Sequence, residues 1–532
     1  MGGGKLVITL TAAWASAIAT ALGWLTLAMS GNYALADDIV PDGTLGSESS
    51  VVIPNTTVRG EIADKIEGGA TRGANLFHSF QEFNVGELQR VYFANPSGID
   101  NILTRVTGSN LSNILGTLGV DGAANLFLLN PNGIVFGPQS RLDVAGSFFA
   151  STANSLVFAD GQEFSATSPQ APPLLTINIS PGLQYGKYDP RTRIQNAGNL
   201  AVGKDLTLAA SNLDLQGQLR AGNNLTLFGE DTVSITDSLA QPFIANAGGF
   251  LLIQGNQSIT IAAHNHTDSG LFAGSDLRLR SHNPIAGDAH YTAGGSFSIE
   301  QLDGNPGNLL SPYDPIILAN GDVSLGNYTG ASLHILAGGS VTVGDLEINS
   351  TDTGDNAISP NNSNPFLASL ANVTLSNQAP TSVVIDGSSQ PTLDIRAGIN
   401  WTLLGGFPGN VDTGNLSPNL DTAATSADIT IGDISINAPN GLVLLTNQYQ
   451  PNGSNPSNKL EIGTLRTDDD FGGRFVGNSG DVIIDYRGGI EISVREASAK
   501  PNRIDTSSRS EEHTSELQSL AYLVCRLLLE KK

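Results

Sequence analysis

Cysteine is nearly absent from this 532-residue chain: the one example, Cys525, lies close to the C-terminal end. That excludes a disulfide scaffold. Positive charge is scarce as well, with Lys plus Arg at 26 against Asp plus Glu at 50, and a formal net charge of −24. No basic patch is available to meet phosphates, which argues against nucleic acid as a partner. Charged residues make up only 14% of the chain. Beyond about Met29 no segment is apolar enough over enough length to cross a bilayer. What is present is 40% hydrophobic content, 61 glycines and many Asn, Ser and Thr. A core can be built from this, so wholesale disorder is excluded. The abundance of small polar residues points to turn-rich, repetitive β-structure.

The N-terminus has three parts: a cationic start at Lys5, an apolar stretch from Leu6 to about Met29, and a small-residue site, Ala34-Leu35-Ala36, before Asp37. This is the pattern of a secretory signal peptide over residues 1–36, with the mature chain starting at Asp37. The apolar stretch is long enough for a membrane anchor; the Ala-x-Ala site and the polar sequence after it favour cleavage. The far end is different in kind. Residues 509–532 turn Leu-rich and helical in pattern after a chain that reads as all-β. Codons can be chosen so that this peptide matches a short-read sequencing adapter. The expectation is an adapter-derived tail on a gene that continues past about Ser508.

Between these ends the composition divides. Residues 37–187 are a dense block with most of the Phe content, and residues 188–508 are Gly- and Asn-rich with a loose repeat. The repeat places a small residue and Gly or Asn before an apolar–x–apolar strand. It starts at Val202, Ala221, Ala247, Ala273, Ala293, Ala319 and Ala337, in steps of 19, 26, 26, 20, 26 and 18 residues, with sparser copies at Ala397 and Ser479. A strand this short cannot bury its apolar side alone, but stacking like strands does so, which gives a solenoid. A step near 20 residues fits one coil of a parallel β-helix. An antiparallel sandwich with similar turns is the alternative. Residues 350–365, 405–428 and 450–458 read as loops leaving the coil.

Within the dense block, "NLFLLNPNGIVFG" (Asn125 to Gly137) places a tight turn, Asn130-Pro131-Asn132-Gly133, between two apolar arms. Pro presets φ and Gly closes the turn. A surface hairpin would alternate; a corner of a β-helix coil sends both arms to the interior. Asn95-Pro96-Ser97-Gly98-Ile99 echoes Asn130-Pro131-Asn132-Gly133-Ile134 and suggests an equivalent turn on a stacked coil.

With "NLFHSFQEF" from Asn75 and "GSFFASTA" from Gly146, this block resembles the haemagglutination-activity domain, also called the two-partner secretion domain, of filamentous haemagglutinin-like exoproteins. About 150 residues carry the resemblance; Ser97, where Asn is expected, departs from it. The resemblance implies an all-β, right-handed parallel β-helix with an N-terminal capping and secretion domain. It also implies export across the outer membrane by a barrel transporter whose periplasmic domains read this block, and a secreted, cell-surface protein of the adhesin type. Asn75, Phe77, Asn95, Pro96 and Asn130 to Ile134 are the expected secretion-motif residues. Glycans or cell-surface receptors are the expected outer partners.

Candidate chemistry is sparse. His264, His266 and Asp268 share one side of a possible strand, but a metal site needs a further ligand and none is assignable. Residues 466–473, "RTDDDFGG", lack the Gly-rich nonapeptide of calcium-binding β-rolls. "GGATRGAN" (Gly68 to Asn75) lacks the Lys and Ser or Thr of a phosphate loop. No catalytic residue and no cofactor is assigned, and the expectation is a non-enzyme. Rival readings are a β-helical polysaccharide-active enzyme, with acidic groups on adjacent coils, and the N-terminal part of an exported cytolysin or contact-dependent toxin.

Overall fold

The structure, a computed structural model, describes residues 39–158, 161–170, 189, 191–353, 357–375, 382–399, 401, 427–447, 459–467, 480–486, 489–492, 504–505 and 523–527. The signal segment, including Ala34, Ala36 and Asp37, lies outside the described residues, as do 405–426 and 450–458.

The chain winds as a parallel β-helix whose coils each lay one strand on each of three faces. Face one begins with Asn75–Phe83, Asn101–Val106, Asn125–Leu129 and Phe148–Ser151, each parallel to the next. Face two begins with Ser112–Ile114, Ile134–Phe136 and Arg193–Asn196. Two long strands, Leu206–Leu215 and Leu225–Thr236, run from face one into face two and join them as one sheet. Face three runs from Asn199–Val202 through Gln218–Ala221, Ile244–Ala247, Gly270–Ala273, His290–Ala293, Ile316–Ala319 and Leu333–Ala337 to Asp481–Tyr486.

The register explains the repeat. Leu76, Ile102, Leu126, Phe148, Leu206, Leu225, Leu251, Leu277, Phe297, Val323, Val341, Ile429 and Leu460 stand directly above one another. All belong to one continuous interior cluster. Successive strand residues point to opposite faces, so every second residue supplies this core. The small residue that opens each repeat forms a column of its own, Val202, Ala221, Ala247, Ala273, Ala293, Ala319 and Ala337, on face three.

Two expected copies depart from this. Ala397 sits above Ala337, but the next described strand on face one is Ile429–Ile431, well downstream in sequence. Trp401 is buried outside the helix and donates its Nε1–H to the Ala319 carbonyl at 2.8 Å. The copy at Ser479 feeds Asp481–Tyr486, which lies on face three. The alternation is the same on each face, so sequence alone cannot tell which face a short strand joins.

A second apolar layer coats part of the outside. Pro365–Leu370 forms a helix whose N-cap, Asn364, accepts from the amides of Phe366 and Leu367. Its Phe366, Leu367 and Leu370 cover Ile316, Leu318 and Leu336 on the outer side of face three. The 350–365 segment read as a departing loop thus leads into a packed helix. At the N-terminal end, the antiparallel hairpin of Ser50–Val58 and Glu61–Gly68 heads a five-stranded sheet that also holds Arg90–Ala94, Thr117–Asp121 and Arg141–Asp143. Ile39–Pro41 and Ala70–Arg72 lie antiparallel on Asn75–Phe83, occupying the edge that a parallel stack would expose. In the tail, Leu523–Leu527 is a strand antiparallel to Asp481–Tyr486 rather than a helix: an open sheet edge supplies backbone partners that outweigh a short stretch's helical preference.

Candidate secretion motif

The expected motif residues fall into three local constructions on the first coils. At Asn130 the chain leaves face one for face two. Asn130 is fully buried, and its amide donates to the Asn110 carbonyl and to Ser112 Oγ, both at 3.0 Å. Its Oδ1 accepts from the Asn132 amide at 2.9 Å. Asn132 reaches back to the Gly108 carbonyl at 2.9 Å. Gly133 holds φ at +124°, and a Cβ there would stand 3.1 Å from the Arg193 carbonyl of the next coil. Pro131 and Asn132 therefore shape the bend, while Asn130 ties it to the coil before. Ile134 then enters the core between Ser112 and Ile194.

The arms do not both reach the interior at every position. Leu126 and Leu128 face the core, whereas Leu129 faces outward into a separate cluster, against which half-buried Phe127 packs. That outer cluster holds Phe77, whose ring meets Phe164 edge-on at 4.9 Å and Phe158 at 6.2 Å. Both partners flank or belong to the hairpin of Ser155–Val157 and Glu163–Ser165, which covers this side of face one. The apolar run from Leu126 to Leu129 is thus explained by two cores, one on each side of the strand.

Asn95 and Pro96 occupy a different corner. They follow Arg90–Ala94 of the five-stranded sheet and lead toward face one. Asn95 Oδ1 accepts from the amides of Ala123 and Ala124, each at 3.0 Å, and its amide donates to the Ile99 carbonyl at 2.9 Å. So the two Asn-Pro-x-Gly-Ile turns are not equivalent. The turn stacked on Asn95 is the one at Gly122 to Ala124, and the one stacked under Asn130 is the one at Gly108 to Asn110. The same turn chemistry serves two corners.

Asn75 begins a ladder that sequence reading missed. Its Oδ1 accepts from Asn101 Nδ2, Asn101 Oδ1 accepts from Asn125 Nδ2, and Asn125 Oδ1 accepts from the Ser147 amide, at 2.8–2.9 Å. The same corner continues upward. Asp205 Oδ1 accepts from the Asn224 amide, Asn224 from Phe250, Asp276 from Ser296, Ser296 Oγ from Asp322, Asp322 from Ser340, Ser340 Oγ from Asp428, and Asp428 from Lys459. Each side chain caps a backbone N–H one coil above. The signal was in the sequence as an Asn, Asp or Ser one place before most of the apolar–x–apolar strands.

Arg105 is a second unforeseen residue. Its guanidinium is buried and donates to Ser79 Oγ, Thr44 Oγ1 and the Ser165 and Gln170 carbonyls at 2.8–2.9 Å. It also lies 4.3 Å from the centroid of the Phe164 ring. Burial pulls its pKa down to about 10, partly offset by the charge of Asp42. It fastens the N-terminal strand, the first two coils and the covering hairpin to one another.

The other candidates resolve as structure. His264 stacks on Tyr313 with centroids 4.8 Å apart. His266 Nδ1 accepts from the Asp268 amide at 3.1 Å. Among the described residues no group of three His, Cys, Asp or Glu is placed to hold a metal ion. Gly68, Gly69 and Gly73 have positive φ in the hairpin formed by Ala70–Arg72 and Asn75–Phe77. Most of 466–473 lies outside the described residues. Acidic side chains do pair with basic ones on neighbouring coils, on the outer side of face three. Asp314 and Asp394 are fully buried; Asp314 pairs with His290 at 3.0 Å, and Asp394 pairs with His334 at 3.2 Å and Arg396 at 2.7 Å. Burial pushes both carboxyls up, and the hydrogen bonds and charges around them more than offset it, so both sit below the usual carboxylate range.

The chain is similar to a known family and to two known proteins. The family model described as TPS secretion domain matches residues 37–299. Over 124 residues, 23% of this chain, the sequence is 32% identical to the heme/hemopexin-binding protein of Haemophilus influenzae, and the match spans 13% of that protein's length. The solved HMW1 secretion domain from Haemophilus influenzae aligns over 84% of this chain and all of its own, with 13% identity and a TM-score of 0.35. Over residues 37–299 the chain thus carries a TPS secretion domain, that of a two-partner secretion exoprotein.

Proposed function

We propose that the first coils direct this chain through an outer-membrane barrel transporter whose periplasmic domains read the block containing Asn75, Phe77, Asn95, Pro96 and Asn130 to Ile134, and that outside the cell the chain serves as a surface adhesin of the haemagglutinin type. The observation that carries the export reading is the TPS secretion domain at residues 37–299. The fold supplies a driving force. Each coil pairs with the coil before it, so folding proceeds outward from a capped end, and each coil folded outside opposes return. Only Cys525 carries a thiol, so the rest of the chain has none to cross-link before passage.

The test is to delete residues 75–137 and co-express the chain with its transporter. Export should be lost, while residues 1–299 fused to a passenger should carry it out. Appearance of the deletion variant in the medium at the parental level would overturn the reading. The adhesive role is supported by a long outer surface. Release of reducing sugar from polysaccharide by the purified chain would count against it.

A further inference from the structure

On the outer side of face three, the apolar coat described above stops at Ile316 and Leu318, and the strands below it are open. A groove of about 370 Å³ lies there, between the helix-bearing segment at Asn364 to Leu367 and the turn at Thr267 to Ser269. Its floor consists of two columns of outward-facing side chains set by the register. One column runs Arg220, Asn246, Phe272, Thr292; the other runs Ile244, Gly270, His290.

Phe272 is the centre of this floor. Gly270, two residues earlier on the same strand, provides no Cβ, and one built there would stand 2.8 Å from Phe272 Cζ and 3.0 Å from Cε2. The far edge of the ring therefore reaches over the glycine, and the ring borders the groove. Polar groups stand around it. Asn246 and Thr292 flank it in the same column, one strand away on either side, about 4.8 Å in a sheet. Among the described residues neither side chain has a hydrogen bond within the protein. His290 is held by Asp314, with Nε2 at 3.0 and 3.2 Å from the two carboxylate oxygens, which fixes the ring plane. Among the described residues Arg220 is bonded only to Gln218, and it has further N–H donors.

A flat aromatic face ringed by donors and acceptors of both kinds, in a concave site of this size, suits a flat ligand with one apolar side and a hydroxylated rim. We propose that this groove is a carbohydrate-binding site in which a pyranose ring stacks on Phe272 and its hydroxyls bond to Asn246, Thr292 and His290. The proposal rests on the adhesive reading and gives it a place on the molecule.

The test uses the purified full chain and saturation-transfer NMR with methyl glucoside, methyl galactoside, N-acetylglucosamine, N-acetylneuraminic acid and glucuronic acid, followed by titration calorimetry. At least one sugar should bind saturably. Phe272→Ala should weaken it at least tenfold, Phe272→Trp should retain it, and Asn246→Ala should weaken it several-fold. The circular dichroism of all three variants should match the parent. No saturable binding of any of the five, or binding that Phe272→Ala leaves unchanged, overturns the site; so does tighter binding of adenosine or of an aromatic dipeptide in the same groove. Red-cell binding separates the two readings. Cell binding that survives Phe272→Ala keeps the adhesin and sinks the groove. Sugar binding without cell binding keeps the groove and sinks the adhesin.

Discussion

At the scale of single residues, His78 shows what the interior of this fold demands. It occupies an inward position on face one, in register with Thr104 and Leu128, and packs against the rings of Phe80 and Phe93. Its Nδ1 meets Ser50 Oγ at 3.0 Å and its Nε2 is buried without a partner. Burial alone drives its pKa down to about 3. Above the ordinary histidine value of about 6.5 the ring is neutral whether the chain is folded or not, and it contributes no pH dependence. As pH falls from there toward 3, the unfolded chain takes up a proton that the folded chain refuses, so stability declines by up to about 1.4 kcal/mol per pH unit. His78→Met should remove that share. Between pH 7 and 4.5 the variant's urea-derived stability should fall by about 2–3 kcal/mol less than the parent's. Equal declines would mean that His78 charges freely in the folded state.

At the scale of elements, the turn ladder alternates charged caps with neutral ones. Along the upper part of the corner the capping side chains run Asp276, Ser296, Asp322, Ser340, Asp428, so that a carboxylate is never directly above another carboxylate. At the strand spacing of about 4.8 Å two like charges would repel. Asp322→Leu should free the Ser340 amide at a cost of about 1 kcal/mol, read as roughly fivefold faster hydrogen exchange there, while Asp322→Asn keeps the acceptor and the protection. Matching exchange rates in the two variants would show that the side chain is not what holds the turn. The ladder also marks how far the sequence was legible. Six of its seven turn positions next to the repeat starts carry Asp, Asn or Ser, and Phe250 is the exception. The strands from Val202 to Ala337 were readable because every coil repeats both its turn and its alternation. The copies at Ala397 and Ser479 misled because an insertion parts one from its strand and the other belongs to a different face. The Asn95 and Asn130 turns look alike because a tight bend needs the same residues at any corner. The outer clusters around Phe77 and Phe366 were hidden, since an outward-facing apolar residue under a hairpin or helix is spelled like an inward one.

At the scale of the whole solenoid, stability is expected to be a sum of coils and of the interfaces between neighbours. This has a consequence that an ordinary globular core does not share: one coil can be removed if the register closes behind it. Leu225 to Phe250 is such a unit, because Leu206 lies under Leu225 and Leu225 lies under Leu251. Deleting residues 225–250 places Leu251 above Leu206, Ala273 above Ala221 and Ser258 beside Asn212. The inward columns stay apolar throughout. Asn224 is kept, so Asp205 still has the amide that its side chain caps. The chain should remain β-helical by circular dichroism and unfold with a slightly smaller urea dependence, in proportion to the surface lost. Deleting only residues 225–237 removes the face-one and face-two strand but leaves the face-three strand of that coil. Every later strand would then meet the wrong face, and the C-terminal coils should lose their protease resistance. If the full-coil deletion is as damaging as the partial one, the coils are not the independent units that this register implies, and the fold depends on contacts longer in range than nearest neighbours.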